Sequence, residues 1–268
     1  MTRTPRLFAL LAALTFLIAM PAGAQDLTAE QIIAKSQANR RVSNSVQTLT
    51  MELFDKSGRS RSRKITSKIK QVEGQGAMSY VRFDEPEDVA GVQFLTRENP
   101  AGEDDQFLYM PAGDILNRIS GSSRRGSFMG SDFSFEDLNV GSPEDGTHTS
   151  LPAETITVAG TSYDVYVIET VPKPELESAY SKLVTYIDKA QFMPRQVVFF
   201  DKKGVNTKRM TVEEAKKDGD SMVPVRTVME NLKRGSKTVI TVGEYRTNVP
   251  AEELPDTMFT EAYLRSEG

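Results

Sequence analysis

What most limits the fold open to this chain is a long succession of short strand-like runs, joined by Gly- and Pro-marked turns, across residues 45–247. Leu49, Met51 and Leu53 fall on one face of the first run, with Thr48, Thr50 and Glu52 on the other. That period of two is what a half-buried strand requires. The next run alternates too, with Ile65, Ser67 and Ile69 inward and Lys64, Thr66, Lys68 and Lys70 outward. Lys56-Ser57-Gly58-Arg59 between them reads as a turn. Further strands are predicted over 77–83, 92–97, 106–110 and 115–119, split by Pro86, Pro100 and Pro111. A hairpin follows, 154–158 and 163–171 about Gly160-Thr161. The last runs are 183–188, 195–200, 206–215, 223–232 and 237–247, and one short helical turn is expected over 175–181. Regular spacing and short turns favour a meandering antiparallel sheet, and no unit recurs at the fixed period of a propeller or solenoid. A bilayer-spanning barrel needs an apolar outer band. The outward positions here carry Lys64, Lys68, Lys70, Lys208, Arg226 and Glu230 instead.

Two segments precede the sheet. Arg3 and Arg6, the apolar run 7–20 broken by Thr15, and Pro21-Ala22-Gly23-Ala24 form the pattern of a secretory signal peptide over 1–24, cut after Ala24. The run is shorter than the roughly 20 residues needed to span a bilayer. The remainder, 25–268, is expected to be one β domain. Losing Arg3 and Arg6 takes the formal charge from −4 to −6, which disfavours nucleic acid as a partner because phosphate neutralisation needs clustered cations. With no Cys, no disulfide can staple the fold. An acidic, disulfide-free export product fits a soluble periplasmic protein. Thr28 and Gln31 then form a capping-box signal, predicting a helix over 29–39 with Ile32 and Ile33 buried and Glu30, Lys35 and Asn39 on the polar side.

Several strands are apolar on both faces: Val92, Phe94 and Leu95; Phe107, Leu108, Tyr109 and Met110; Val197 to Phe200. Strands of a sheet open to water on one side would alternate, so these must bury both surfaces. Any one of these side chains read alone is core filling. As a set, with many Phe and Met, they offer soft walls suited to acyl chains. Segment 118–138, RISGSSRRGSFMGSDFSFEDL, neither continues a sheet nor makes a long helix. Its Phe128, Met129, Phe133 and Phe135, with Leu49, Met51, Leu53, Phe94, Phe107 and Tyr109, are the candidate ligand-binding residues. The helix and the Phe-rich segment are expected to cover the cavity mouth. Arg118, Arg124 and Arg125 are the head-group candidates, since clustered guanidinium groups match phosphate.

Catalytic constellations come up short. Glu136 and Asp137 are adjacent, so on a strand they would face opposite ways. Asp132 and Glu136 could meet on a helical turn, but a solvated acidic cap is the better explanation. The sole His148 is expected in a polar loop over 142–152, and without Cys or a second His it forms no metal site. No G-x-S-x-G elbow surrounds any Ser. No enzyme activity and no cofactor are expected; a hydrolase acting through Asp132, Glu136 or Asp137 is the outlying alternative.

Tyr109-Met110-Pro111, Arg118-Ile119-Ser120-Gly121 and the run from Ser127 to Leu138, SFMGSDFSFEDL, closely resemble the outer-membrane lipoprotein-sorting proteins, relatives of the periplasmic carrier LolA. Looser likeness continues through 180–188, Pro194-Arg195, Asp201 with Gly204, and Phe259-Thr260 with Leu264. The resemblance implies a mainly β fold: an unclosed, strongly curved antiparallel sheet, a half-barrel, around a hydrophobic cavity with a few helices over its concave face. It implies a periplasmic carrier of lipid or lipoprotein acyl chains between inner and outer membrane, with transient membrane contact. Members of the subgroup look linked to inner-membrane RND-type exporters, so an adaptor of such an exporter is the alternative reading.

Overall fold

The computed structural model describes residues 27–99, 103–139 and 146–266; the expected signal peptide, 1–24, and its cleavage point lie outside them. Helix α1 spans Ala29–Arg40. Strands β1 Ser45–Phe54, β2 Ser60–Val72, β3 Gly76–Glu85, β4 Gln93–Arg97, β5 Asp105–Met110 and β6 Ile115–Ile119 follow. After the Phe-rich segment come β7 Gly146–Val158, β8 Thr161–Pro172, β9 Tyr180–Asp188, β10 Pro194–Asp201, β11 Asn206–Asp218, β12 Ser221–Asn231 and β13 Ser236–Thr247. Helix α2, Glu261–Ser266, closes the order. The helix start is as the sequence predicts: Gln31 N donates to Thr28 Oγ1 at 3.3 Å and Thr28 N to Gln31 Oε1 at 2.9 Å, satisfying two orphan donors.

All thirteen strands form one antiparallel sheet in the order β6-β5-β4-β3-β2-β1-β13-β12-β11-β10-β9-β8-β7. It is mainly β and not closed into a barrel: β6 and β7 end the sheet, and β1 paired with β13 joins its two halves. Most turns fall where Gly and Pro place them. Ala159 and Gly160, both at positive φ, make the two-residue hairpin between β7 and β8.

The expected polar loop over 142–152 is a correction. β7 begins at Gly146 and pairs with the far end of β8, His148 lying opposite Thr170. Thr and Ser suit a strand once a neighbour offers its free edge, and β8 runs on to Pro172. A register shift between Leu151 and Glu154 absorbs Pro152, which cannot donate to a ladder.

The sheet bends sharply. Phe94 on β4 and Tyr180 on β9 are eight strand positions apart, about 38 Å in a flat sheet. Yet the Phe135 ring lies 5.6 Å from that of Phe94, and two residues later Asp137 accepts a 2.7 Å hydrogen bond from the Tyr180 hydroxyl. Only a sheet folded toward itself brings both within reach. Alternation then sorts the side chains. On the concave face Phe83, Phe94 and Leu108 join Met51, Leu53, Ile65, Val197 and Phe199 in one core. On the other face Tyr80, Leu95, Phe107 and Tyr109 pack against the C-terminal Leu254, Met258, Phe259 and Leu264. Of the two α-helices among the described residues, α1 lies inside the bend on Ile168 and Ile187. Helix α2 belongs to the outer layer, where Gln93 Nε2 donates to the Leu264 carbonyl at 3.1 Å.

Candidate functional site

The Phe-rich segment is a small hairpin laid into the bend. Met129 and Gly130 both have positive φ, and Ser131 N bonds back to the Phe128 carbonyl at 3.0 Å. This is the type I′ pattern, whose second position glycine fills without strain. Phe128, Phe133 and Phe135 are all buried. Phe128 meets Phe94 edge-on at 5.3 Å and Phe135 at 5.6 Å, geometries that suit the ring quadrupoles.

Its carboxylates pin it to the sheet. Asp132 accepts from Ser236 Oγ at 2.6 Å and Thr238 Oγ1 at 2.9 Å. Asp137, fully buried, accepts from Tyr180, from Ser134 N at 2.7 Å and from Lys208 Nζ at 2.7 Å. Glu136 accepts from Ser178 Oγ and from Ala179 N at 3.0 Å, while Arg63 donates to the Met129 carbonyl. Burial, reinforced by the Asp137 carboxylate, pushes the Tyr180 phenol above its usual range, so the hydroxyl stays a donor. The three carboxylates raised as hydrolase candidates therefore each hold chain in place.

Beside this plug the bend stays hollow. A cavity lies between α1 and the concave faces of β7 to β11. Its roof is Ile33, Ser36 and Arg40 of α1, a spacing that aligns them on one helical face. Its floor is Leu183, Thr185 and Ile187 of β9 with Val197 of β10 and Met210 of β11. Pro172, Leu176, Ser178 and Tyr180 form one wall, and Arg124, Glu136, His148 and Thr170 supply polar groups. His148 Nδ1 lies 2.9 Å from Thr170 Oγ1. The cavity's volume is about 80 Å3, within about 880 Å3 of space between atoms that includes open solvent at the mouth. Among the described residues no group of three or more His, Asp or Glu could hold a metal.

The sequence-derived candidates divide three ways. Leu49, Met51, Leu53, Phe94, Phe128, Met129, Phe133 and Phe135 come together, but as the packed core around the plug. Phe107 and Tyr109 stand on the opposite face under the C-terminal segment; an odd spacing from Leu108 on one strand puts them there. None of these ten lines the hollow. Of the head-group candidates, Arg124 reaches the cavity wall, paired with Glu103 at 3.5 Å. Arg118 is exposed on β6 and binds Asp105 at 2.6 Å, and Arg125 is exposed on the surface. The lining residues outside the sequence-derived candidates are chiefly those of α1, which the sequence suggests only as a cover, and of β9. Leu183, Thr185 and Ile187 do alternate in the sequence, but alternation reads the same whether the facing space is filled or empty.

The chain is similar to a candidate outer membrane lipoprotein-sorting protein domain from Vibrio parahaemolyticus. The two are 31% identical over 88% of this chain and 98% of that one, with a TM-score of 0.81. It is also similar to a DUF1329 family protein from Desulfovibrio piger, 26% identical over 88% and 97%, TM-score 0.80. A LolA superfamily protein from Nitrosomonas europaea, 20% identical over 88% and 99%, TM-score 0.67, shares the fold. A family model described only as "Uncharacterized protein" matches residues 75–266. No curated protein sequence matches.

Proposed function

This chain belongs to the outer membrane lipoprotein-sorting protein family, and from that premise we propose that it is a periplasmic carrier for the acyl chains of a lipid or lipoprotein, moving them between the inner and outer membranes without covalent chemistry. The observation that carries the proposal is the hollow under α1, floored by apolar side chains and edged with polar ones. Burying acyl chain is worth roughly 0.8 kcal/mol per CH2, so a guest seated there is shielded from water by contacts alone. The hollow is narrow without a guest, and a full chain requires α1 to lift. The helix is suited to this. Short and packed on the sheet through one apolar side, it depends on tertiary contact for most of its stability. Release then needs only a partner with a better site.

The test is direct. Protein purified from the periplasm, measured by native mass spectrometry and extracted with organic solvent, is expected to release a lipid or acylated species in near-stoichiometric amount. A fatty-acid probe should compete for the same site. Protein that comes through empty and binds no acyl probe would rule the carrier out.

A further inference from the structure

At one end of the sheet three neighbouring hairpin tips form a basic surface, and we propose that it docks the protein on an anionic phospholipid bilayer. The tips are 55–59 between β1 and β2, 201–205 between β10 and β11, and 232–236 between β12 and β13. Pairing puts them together: Phe54 lies opposite Lys237, and Lys208 opposite Asn231. Lys233 Nζ reaches Asp201 at 2.6 Å, and a Cβ built on Gly235 would lie 3.6 Å from that of Lys56.

The charge there is opposite to that of the whole chain, which is acidic at −4. The first tip carries Lys56 and Arg59, the second Lys202 and Lys203, and the third Lys233 and Arg234 with Lys237 just behind; all seven are exposed, and of these Lys202 turns its ammonium to the Tyr180 carbonyl at 2.7 Å. Against them stand Asp55 and Asp201 on the tips and Asp132 behind, engaged by Arg59 at 2.8 Å, Lys233 at 2.6 Å and Arg234 at 3.8 Å. The excess is positive.

Two large apolar side chains project from the same tips, Val205 at 50% exposure and Leu232 at 44%. They are two of only five large hydrophobics exposed among the described residues. Apolar side chains ringed by Lys and Arg are the arrangement that anionic bilayers retain, since cations are drawn to the surface and apolar tips enter the interface. An acidic protein would match the charge but gives no reason for the exposed Val and Leu. The position also suits delivery. Tyr180 pairs with Asp201, so Tyr180, Ser178 and Leu176 on the cavity wall belong to the same end of the sheet. Docking does not depend on the carrier reading, and it would set the hollow beside the lipid surface.

The experiment is vesicle co-sedimentation of the mature protein with phosphatidylglycerol–phosphatidylethanolamine vesicles and with phosphatidylcholine vesicles, at low salt and in 0.5 M salt, alongside acyl-probe binding. Binding to the anionic vesicles alone, weakened by salt, is expected. Lys56→Gln with Lys203→Gln should weaken partitioning about thirtyfold, the equivalent of about 1 kcal/mol for each cation. Val205→Ser with Leu232→Ser should weaken it severalfold, and both pairs should leave acyl-probe affinity in solution unchanged. Lys189→Gln with Lys217→Gln, exposed away from these tips, should bind vesicles as the parent does. Equal binding to both vesicle types, or equal losses in the tip and control variants, would overturn the proposal. Retention only by an acidic protein, with no vesicle binding, would overturn it as well.

Discussion

The two halves of the bend are built from the same kind of strand and end in opposite states. Around β1 to β6 the concave face is filled by the protein's own aromatic hairpin, with Phe128, Phe133 and Phe135 packed on Phe83 and Phe94. Along β7 to β11, beyond Leu183 and Val197 at the edge of that core, the face carrying Thr185 and Ile187 is roofed by α1 and left hollow. The difference lies in how each cover is held. The hairpin is tied by buried charged and hydroxyl groups, among them Asp137 with Lys208 and Tyr180. Helix α1 rests on a small apolar patch, with exposed polar ties only at its edge: Asn39 donates to the Gln191 carbonyl, Ser221 Oγ to the Arg41 carbonyl at 2.6 Å, and Lys35 lies over the Phe192 ring. A cover held by buried ion pairs costs much to remove, whereas one held by a modest apolar contact can lift. In the proposed carrier, the plug is therefore the fixed structure and the helix the movable part.

That contrast can be broken by substitution. Phe128→Ala removes a ring that touches Phe83, Phe94 and Phe135 and should cost about 3–5 kcal/mol, read as a lower denaturation midpoint. Asp137→Ala strands Lys208 and Tyr180 beside a buried site and should cost about 3 kcal/mol. If either variant were fully stable, the hairpin would be a loose lid and the two halves would not differ.

The open half should respond with the opposite sign. Ser36 is buried on the cavity roof, with no hydrogen-bond partner for its hydroxyl among the described residues. Ser36→Leu fills the hollow and should raise stability by about 1 kcal/mol while lowering acyl-probe affinity at least tenfold. Unchanged affinity would place the guest elsewhere.

The smallest effect is at the turn between β10 and β11. Hydrogen bonds from Lys233 and from Val205 and Lys203 backbone groups hold the Asp201 carboxyl down at about 2. Its contribution is therefore complete above the ordinary carboxylate value near 4 and is lost as pH falls through about 2. Asp201→Asn should flatten the acid limb of a stability–pH curve over that window, and an unchanged limb would show that the turn is not held this way.

Much of the architecture was legible in the sequence. Period-two alternation in β1 and β2, the Gly and Pro turns, and the Thr28–Gln31 cap all rest on local backbone preference, which neighbouring chain barely alters. β7 was hidden because a polar Thr–Ser run becomes strand only when β8 offers an edge. The site was hidden for a related reason. Phe-rich and two-sided strands announce that apolar surface must be covered, and they do so equally for a plug and for a pocket.

The amino-acid order by itself set most of the strands, the alternation along them and the family motif at 127–138, because φ/ψ preference and side-chain alternation act over a few residues. It took the tertiary structure to decide that the motif would plug one half of the bend, that Phe107 and Tyr109 would face outward, and that the space under α1 would stay open. Those outcomes depend on which distant surfaces meet across a curved sheet, and the sheet's curvature is a sum over thirteen strands that no single segment specifies.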